Sequence, residues 1–164
     1  MLTDNFSELE NLRLEKLLQL RQNGIEPYPT RSYKNSSNAN AIKAFEAREA
    51  ASQPEELRMT LAGRLRAIRN MGKLSFAHIE DRTGKIQLFM RVNELGQEKL
   101  DHFVRFYDLG DYIEATGTMV RTRRGEVTLQ VEDFRMLAKA LYQLPAAKDE
   151  VVDAAGYRAL AQVM

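Results

Sequence analysis

Arg64, Phe76 and Gln87 fall in three consecutive strand-like segments of this 164-residue chain. In the first, Leu61, Gly63 and Leu65 alternate with Ala62, Arg64 and Arg66. In the second, Ala77 and Ile79 alternate with Phe76 and His78. In the third, Ile86, Leu88 and Met90 alternate with Gln87, Phe89 and Arg91. Side chains on a strand point to opposite faces in turn. If the aliphatic set builds the core, the outward face carries a cation, a ring and an amide. Those are the groups an unpaired base needs: a phosphate or edge donor, a stacking plate and an edge reader. His78 shares the outward face with Phe76. Lys73 lies in the turn before them, and Glu126 opens a later strand, facing outward with Thr128 and Gln130.

Catalytic chemistry has no comparable pattern. The two histidines, His78 and His102, have no metal-ligand spacing between them, and His102 is expected on the solvent side of a helix. The chain has no phosphate-cradling glycine loop and no nucleophile elbow. The acidic pairs Glu80-Asp81 and Glu132-Asp133 put neighbouring carboxylates on opposite faces of a strand or in a turn. With no cysteine there is no disulfide and no thiolate ligand or nucleophile. No catalytic residue, metal or cofactor is expected.

The elements that must position the outward groups follow from periodicity. Residues 6–23 predict a helix with Leu9, Leu12, Lys16 and Leu20 as its stripe, Leu14 and Leu17 filling in. Ser7 or Asn5 can cap it, and Gly24 and Pro27 end it. Residues 32–40, rich in Asn and Ser, predict a loop, and 40–51 a second short helix, with a break at Gln53-Pro54. Asn70-Met71-Gly72 is a turn and Asp81-Arg82-Thr83-Gly84 a tight hairpin connection. Residues 93–107 predict one helix with Leu95, Leu100, Phe103 and Val104 as its stripe. Two further strands follow, 112–122 and 126–137, joined at Arg123-Arg124-Gly125. Three strands, a helix and two strands is the order of the five-stranded OB barrel, a Greek-key fold, here preceded by two helices. The expected organisation is a helical extension at 1–54, the barrel at 55–144 and a linker-like tail at 145–164.

Net charge is only +1, which argues against binding nucleic acid through bulk charge. The distribution is local. Residues 61–91 hold seven bases (Arg64, Arg66, Arg69, Lys73, Arg82, Lys85, Arg91) against two acids, Glu80 and Asp81. Arg121, Arg123 and Arg124 add a basic loop. Such a patch suits a module that grips a short piece of nucleic acid, or equally a strand face that is simply solvated. The amphipathic, acidic N-terminus has no apolar signal region, and no run approaches the roughly 20 apolar residues of a membrane span.

The segments AGRLRAIRNMGKLSFAHIEDRTGKIQLF, DLGDYIEATG and TRRGEVTLQVEDFRMLAKAL, preceded by RLEKLLQLRQNGIEPYP, resemble the N-terminal anticodon-binding domain of class II lysyl-tRNA synthetase. The resemblance runs from Leu12 to Pro145. It implies that Phe76 stacks on the central anticodon uridine and that Arg64 and Gln87 hydrogen-bond that base. It also implies that Glu126 contacts the first anticodon base. The family's ATP-binding and lysine-activating motifs do not occur in this chain, so the resemblance implies a binding module without adenylate chemistry. Cytoplasmic location, a tRNA anticodon loop as partner and a homodimer contact through the N-terminal region are further expectations. The alternatives are a general single-strand nucleic-acid OB module and a protein-interaction domain using the Leu9, Leu12 and Leu20 helix.

Overall fold

A computed structural model describes residues 7–53 and 55–142. The order is α1 (Glu8–Gln22), α2 (Asn38–Ala50), β1 (Arg58–Asn70), β2 (Leu74–Asp81), β3 (Gly84–Arg91), α3 (Val92–Leu95), α4 (Gln97–Phe106), β4 (Tyr112–Arg121) and β5 (Val127–Ala138). The strands close into a barrel in the order β1-β2-β3-β5-β4. All neighbours are antiparallel except β3 and β5, which run parallel. This is the OB barrel that the element order predicts. The Pro54 break, an Asn5 cap and the 145–164 tail lie outside the described residues.

The alternation holds where the strands are regular. Leu61, Leu65, Ala77, Ile79, Ile86, Leu88, Met90, Leu129 and Val131 are all buried in one core. Three irregularities let the sheet coil. One lies in β1 between Leu65 and Ala67 and shifts its register against β2. The others lie in the β4–β5 ladder, at Tyr112/Ile113 and at Thr116/Gly117, each with its extra residue on β5. A bulge adds twist and re-aims the side chains beyond it. At Gly117 the backbones come so close that a Cβ would lie 2.0 Å from the Gln130 carbonyl oxygen, which leaves room for glycine alone.

The helix after β3 departs from the single helix expected at 93–107. Gly96, at φ +84°, breaks it into α3 and α4. α4 then buries Leu100, Phe103 and Phe106 over the barrel, and Tyr107 follows them into the core. Val104, expected in the stripe, is exposed.

α1 turns only part of its expected stripe inward. Ser7 and Glu10 form a capping box, each side chain accepting the other's backbone N–H, at 3.2 and 2.9 Å. The buried residues are Arg13, Leu17 and Leu20, while Leu9 and Leu12 of the expected stripe are exposed. The reason lies in the surface α1 meets. Arg13 donates to the carbonyls of Ala140 and Tyr142, and Lys16 donates to Asp108 at 2.8 Å. Leu17 and Leu20 of the expected set are buried, and the carbonyls and the carboxylate draw Arg13 and Lys16 in beside them, leaving Leu9 and Leu12 outside.

α2 starts at Asn38, two residues earlier than expected, because Ser37 caps it and Asn38 is an anchor. The buried Asn38 amide donates to the Ile79 and Gly84 carbonyls, and its backbone N–H donates to Asp81. Burial alone would raise the Asp81 carboxyl. Hydrogen bonds from Thr83, Asn38 and Gly84 outweigh that and hold it below the ordinary carboxylate range. The same carboxylate therefore closes the β2–β3 hairpin and seats α2 on it.

Where β5 ends, Lys139 is fully buried. Its three N–H groups meet Phe106 O at 3.1 Å, Asp108 Oδ2 at 2.7 Å and Asp111 Oδ2 at 2.6 Å. Asp111 also accepts the N–H groups of Asp108 and Ala140. The Asp108-Leu109-Gly110-Asp111 motif is thus an acidic cage for one ammonium group.

Burial would raise the Asp108 carboxyl, but hydrogen bonds from Lys139 and Lys16 outweigh it and hold it below the ordinary carboxylate range. A depressed folded value gives stability that is complete above the unfolded value, about 3.9, and is lost as pH falls through the folded one. Asp108→Asn is therefore expected to cost about 1–3 kcal/mol at pH 7. In denaturant titrations that gap should shrink below about pH 4; a gap that stays constant into strong acid would contradict the cage.

Candidate nucleic-acid interface

The outer face of β1, β2, β3 and β5 carries two adjoining cross-strand rows. One runs Arg69, Phe76, Phe89, Gln130 in successive strand registers. The next runs Ala67, His78, Gln87, Thr128. Directly opposed side chains on one face lie within contact distance of each other.

Phe76 and Phe89 stack with centroids 4.6 Å apart and planes 3° from parallel. The Arg91 guanidinium lies 5.4 Å from the Phe89 centroid. Arg91 is tied to Glu94, Nε to Oε2 at 2.9 Å, and Glu94 also accepts from Gln130. Hydrogen bonds from Arg91 and Gln130 outweigh burial and hold the Glu94 carboxyl below its ordinary range. The ring pair is therefore braced on one side by a neutralised cluster.

Gln87 lies between His78 and Thr128. Thr128 Oγ1 is 2.9 Å from Gln87 Oε1. His78 Nε2 is 2.9 Å from Glu126 Oε1, so Glu126, in the loop just before β5, leans over this row. Thr128 was expected to face outward with Glu126; it is instead completely buried, with its hydroxyl beneath Gln87. The parallel β3–β5 seam sets Thr128 directly opposite Gln87, so β3 lies along the strand that carries it.

Of the residues singled out from sequence, Phe76, Gln87, His78 and Glu126 come together. Lys73 is exposed in the turn at the Phe76 end of β2 and makes no ion pair with another described residue. Arg64 stands apart. It opposes Glu80, four residues along β2 from Phe76, about 13 Å at strand rise. Its guanidinium lies 5.0 Å over the Tyr112 ring, and its Nε is buried without a hydrogen-bond partner. Sequence reasoning missed Arg69. Strict alternation from Arg64 would send Ile68 out and Arg69 in; the bulge after Leu65 reverses both, and Arg69 emerges opposite Phe76. No feature of the sequence announced that bulge.

The basic patch shrinks once the fold is known. Arg66 lies 3.8 Å from Glu80, and Arg91 is held by Glu94. Arg121, counted with the basic loop, is held by Glu49 of α2 at 2.6 and 2.9 Å. Arg69, Lys73, Arg123 and Arg124 are exposed and form no ion pair with another described residue.

A separate cleft of about 920 Å³ lies between residues 25–29, α4 and the end of β5. His102 lines it and is not the solvent-facing residue expected. It is half-buried, with ring centroids of Phe106 and Tyr107 4.8 and 6.0 Å away. Burial, then the charges of Lys99 and Arg105, push its imidazole below the ordinary range. It stands in the cleft as a neutral ring among aromatics, on a different element from the Phe76 face.

Comparison with known proteins agrees with this geometry. Residues 59–137 match the tRNA anticodon family described as an OB-fold nucleic acid binding domain. The chain is 39% identical over 142 residues to a lysine–tRNA ligase of Pelotomaculum thermopropionicum, covering 87% of this chain and 27% of that protein. It is 41% identical over 139 residues to a lysine–tRNA ligase of Carboxydothermus hydrogenoformans, covering 85% and 27%. A lysine–tRNA ligase of Thermotoga maritima is 34% identical over 138 residues, covering 84% and 28%. The chain thus spans little more than a quarter of the length of these curated relatives. The barrel carries its stacked rings and the Gln87 amide on one outer face, and over residues 59–137 it belongs to the tRNA anticodon family of OB-fold nucleic acid binding domains, in a chain homologous to part of the lysine–tRNA ligases.

Proposed function

We propose that this chain binds the anticodon loop of a tRNA and reads a U-rich anticodon by stacking and edge hydrogen bonds. The observation that carries the reading is the pair of adjoining rows, Arg69–Phe76–Phe89 and His78–Gln87–Thr128, on the outer barrel face. A splayed base would stack on Phe76, with the Phe89 ring behind it. Gln87 would meet that base's edge, and Glu126, displaced from His78, the edge of the base before it. Arg69 would supply the guanidinium beside the ring, the role that sequence alone assigned to Arg64. Lys73, Arg123 and Arg124 would hold neighbouring phosphates. Stacking supplies affinity without choosing a base, so selectivity falls to Gln87 and its neighbours.

On this reading the chain positions RNA and performs no reaction of its own. Kinship with lysine–tRNA ligases and the lack of cysteine fit work in the cytoplasm. A second reading, contact with another protein or a second copy, has its own support in the exposed Leu9, Leu12 and Leu18 on α1.

The test is binding to an anticodon stem-loop carrying UUU and to the same loop with its central base changed to C. Preference for UUU supports the reading; equal binding favours a general single-strand module, and no binding to either favours protein contact through α1. Phe76→Ala is expected to weaken binding to the UUU loop by about 1–3 kcal/mol. Arg69→Ala is expected to weaken it by about 1.5–3 kcal/mol, the worth of a charged hydrogen bond. Arg64→Ala should change binding by no more than about 0.5 kcal/mol. The reverse order would return the guanidinium role to Arg64.

A further inference from the structure

A glutamine presents a donor end and an acceptor end of nearly equal size. It selects a base only if something fixes which end faces outward. The choice has chemical meaning, because uracil and thymine carry a carbonyl acceptor at position 4 where cytosine carries an amino donor. A Gln87 free to turn over could satisfy either.

Gln87 is not free to turn over. Thr128 is fully buried beneath it, opposite it in the parallel β3–β5 ladder, with Oγ1 2.9 Å from Oε1. The hydroxyl has one proton and two acceptors in reach. The other is the Glu126 carbonyl, farther away at 3.1 Å and already accepting the Thr122 N–H at 3.0 Å. The proton therefore goes to Gln87 Oε1. The acceptor end of the amide is held against the protein, and the Nε2 hydrogens face the base.

We propose that the buried Thr128 hydroxyl sets the orientation of the Gln87 amide, so that the face offers an N–H donor and selects a base bearing a carbonyl at that edge over one bearing an amino group. This rests on the anticodon-reading proposal above. Thr128 touches no RNA; it is a positioning residue. The opposite arrangement, with the proton on the Glu126 carbonyl and Nε2 donating to Thr128, would turn Oε1 outward and favour the amino base.

The experiment measures Kd for the 164-residue chain with stem-loops carrying central U or central C. Wild type and Thr128→Ser, which keeps the hydroxyl, are expected to prefer U by about tenfold or more, the worth of one mismatched buried donor. Thr128→Val replaces the hydroxyl by a methyl of the same size. Its preference should fall to within about twofold while affinity for the U loop changes little. Gln87→Glu, at a partly exposed position, offers acceptors alone and is expected to shift preference toward C whatever Thr128→Val does to folding. A wild-type preference that survives Thr128→Val, or a Gln87→Glu chain that still prefers U, overturns this inference and leaves the anticodon reading standing. A wild-type protein without U-over-C preference overturns both.

Discussion

One ammonium group holds the molecule's seams together. Lys139 is fully buried at the end of β5 and spends its three donors on Phe106, Asp108 and Asp111. Through those partners it joins the C-terminal turn of α4, the entry to β4 and the last residues of β5. Asp108 extends the network to α1 through Lys16, and the Lys139 carbonyl accepts the Tyr28 hydroxyl at 2.5 Å. Stripping an ion of water costs several kcal/mol, and only a complete set of partners offsets that. An alternative register of β4 on β5 would leave the ammonium or a carboxylate unpaired in the interior. The cage is therefore better understood as a device for specifying one arrangement than as a large source of stability.

Much of the barrel could be anticipated from the chain. Regular alternation gave the core set of β1, β2 and β3, and turn residues gave the hairpin at 81–84, because both signals are local. What escaped was non-local. The burial of Arg13 on α1 depends on the carbonyls of Ala140 and Tyr142, more than a hundred residues away. The pairing of Thr128 with Gln87 depends on a parallel seam that no hairpin signal could indicate. The exposure of Arg69 depends on one inserted residue in β1, and a slip of one residue exchanges the two faces of a strand. Arg64 was placed on the outward face correctly, but alternation says nothing about distance along a strand, and the ladder leaves it beside Glu80 and Tyr112.

Charge counting failed for a related reason. Residues 61–91 look strongly basic because only Glu80 and Asp81 lie among the cations in sequence. Folding brings Glu94 to Arg91 and, from α2, Glu49 to Arg121. Of the cations in these two stretches, the exposed ones that form no ion pair with another described residue, Arg69 and Lys73 near the ring pair, Arg82 in the β2–β3 turn and Arg123 and Arg124 in the β4–β5 loop, are few. On the proposed reading, a face of that kind would hold RNA through geometry at particular nucleotides more than through a broad field.

The parallel contact of Phe76 with Phe89 bears on how fast and how selectively such a face responds. In an isolated exposed phenylalanine the ring samples several rotamers, and a ligand must freeze it. Here the second ring, braced by the Arg91–Glu94–Gln130 cluster, already holds Phe76 flat before any base arrives. The ordering entropy has been met by folding instead of by binding. Loops whose bases are already unstacked can add to the column at once, whereas a structured loop must first give up its own stacking. On the proposed reading, the same ring pair would also discriminate by the flexibility of the RNA, independently of its sequence.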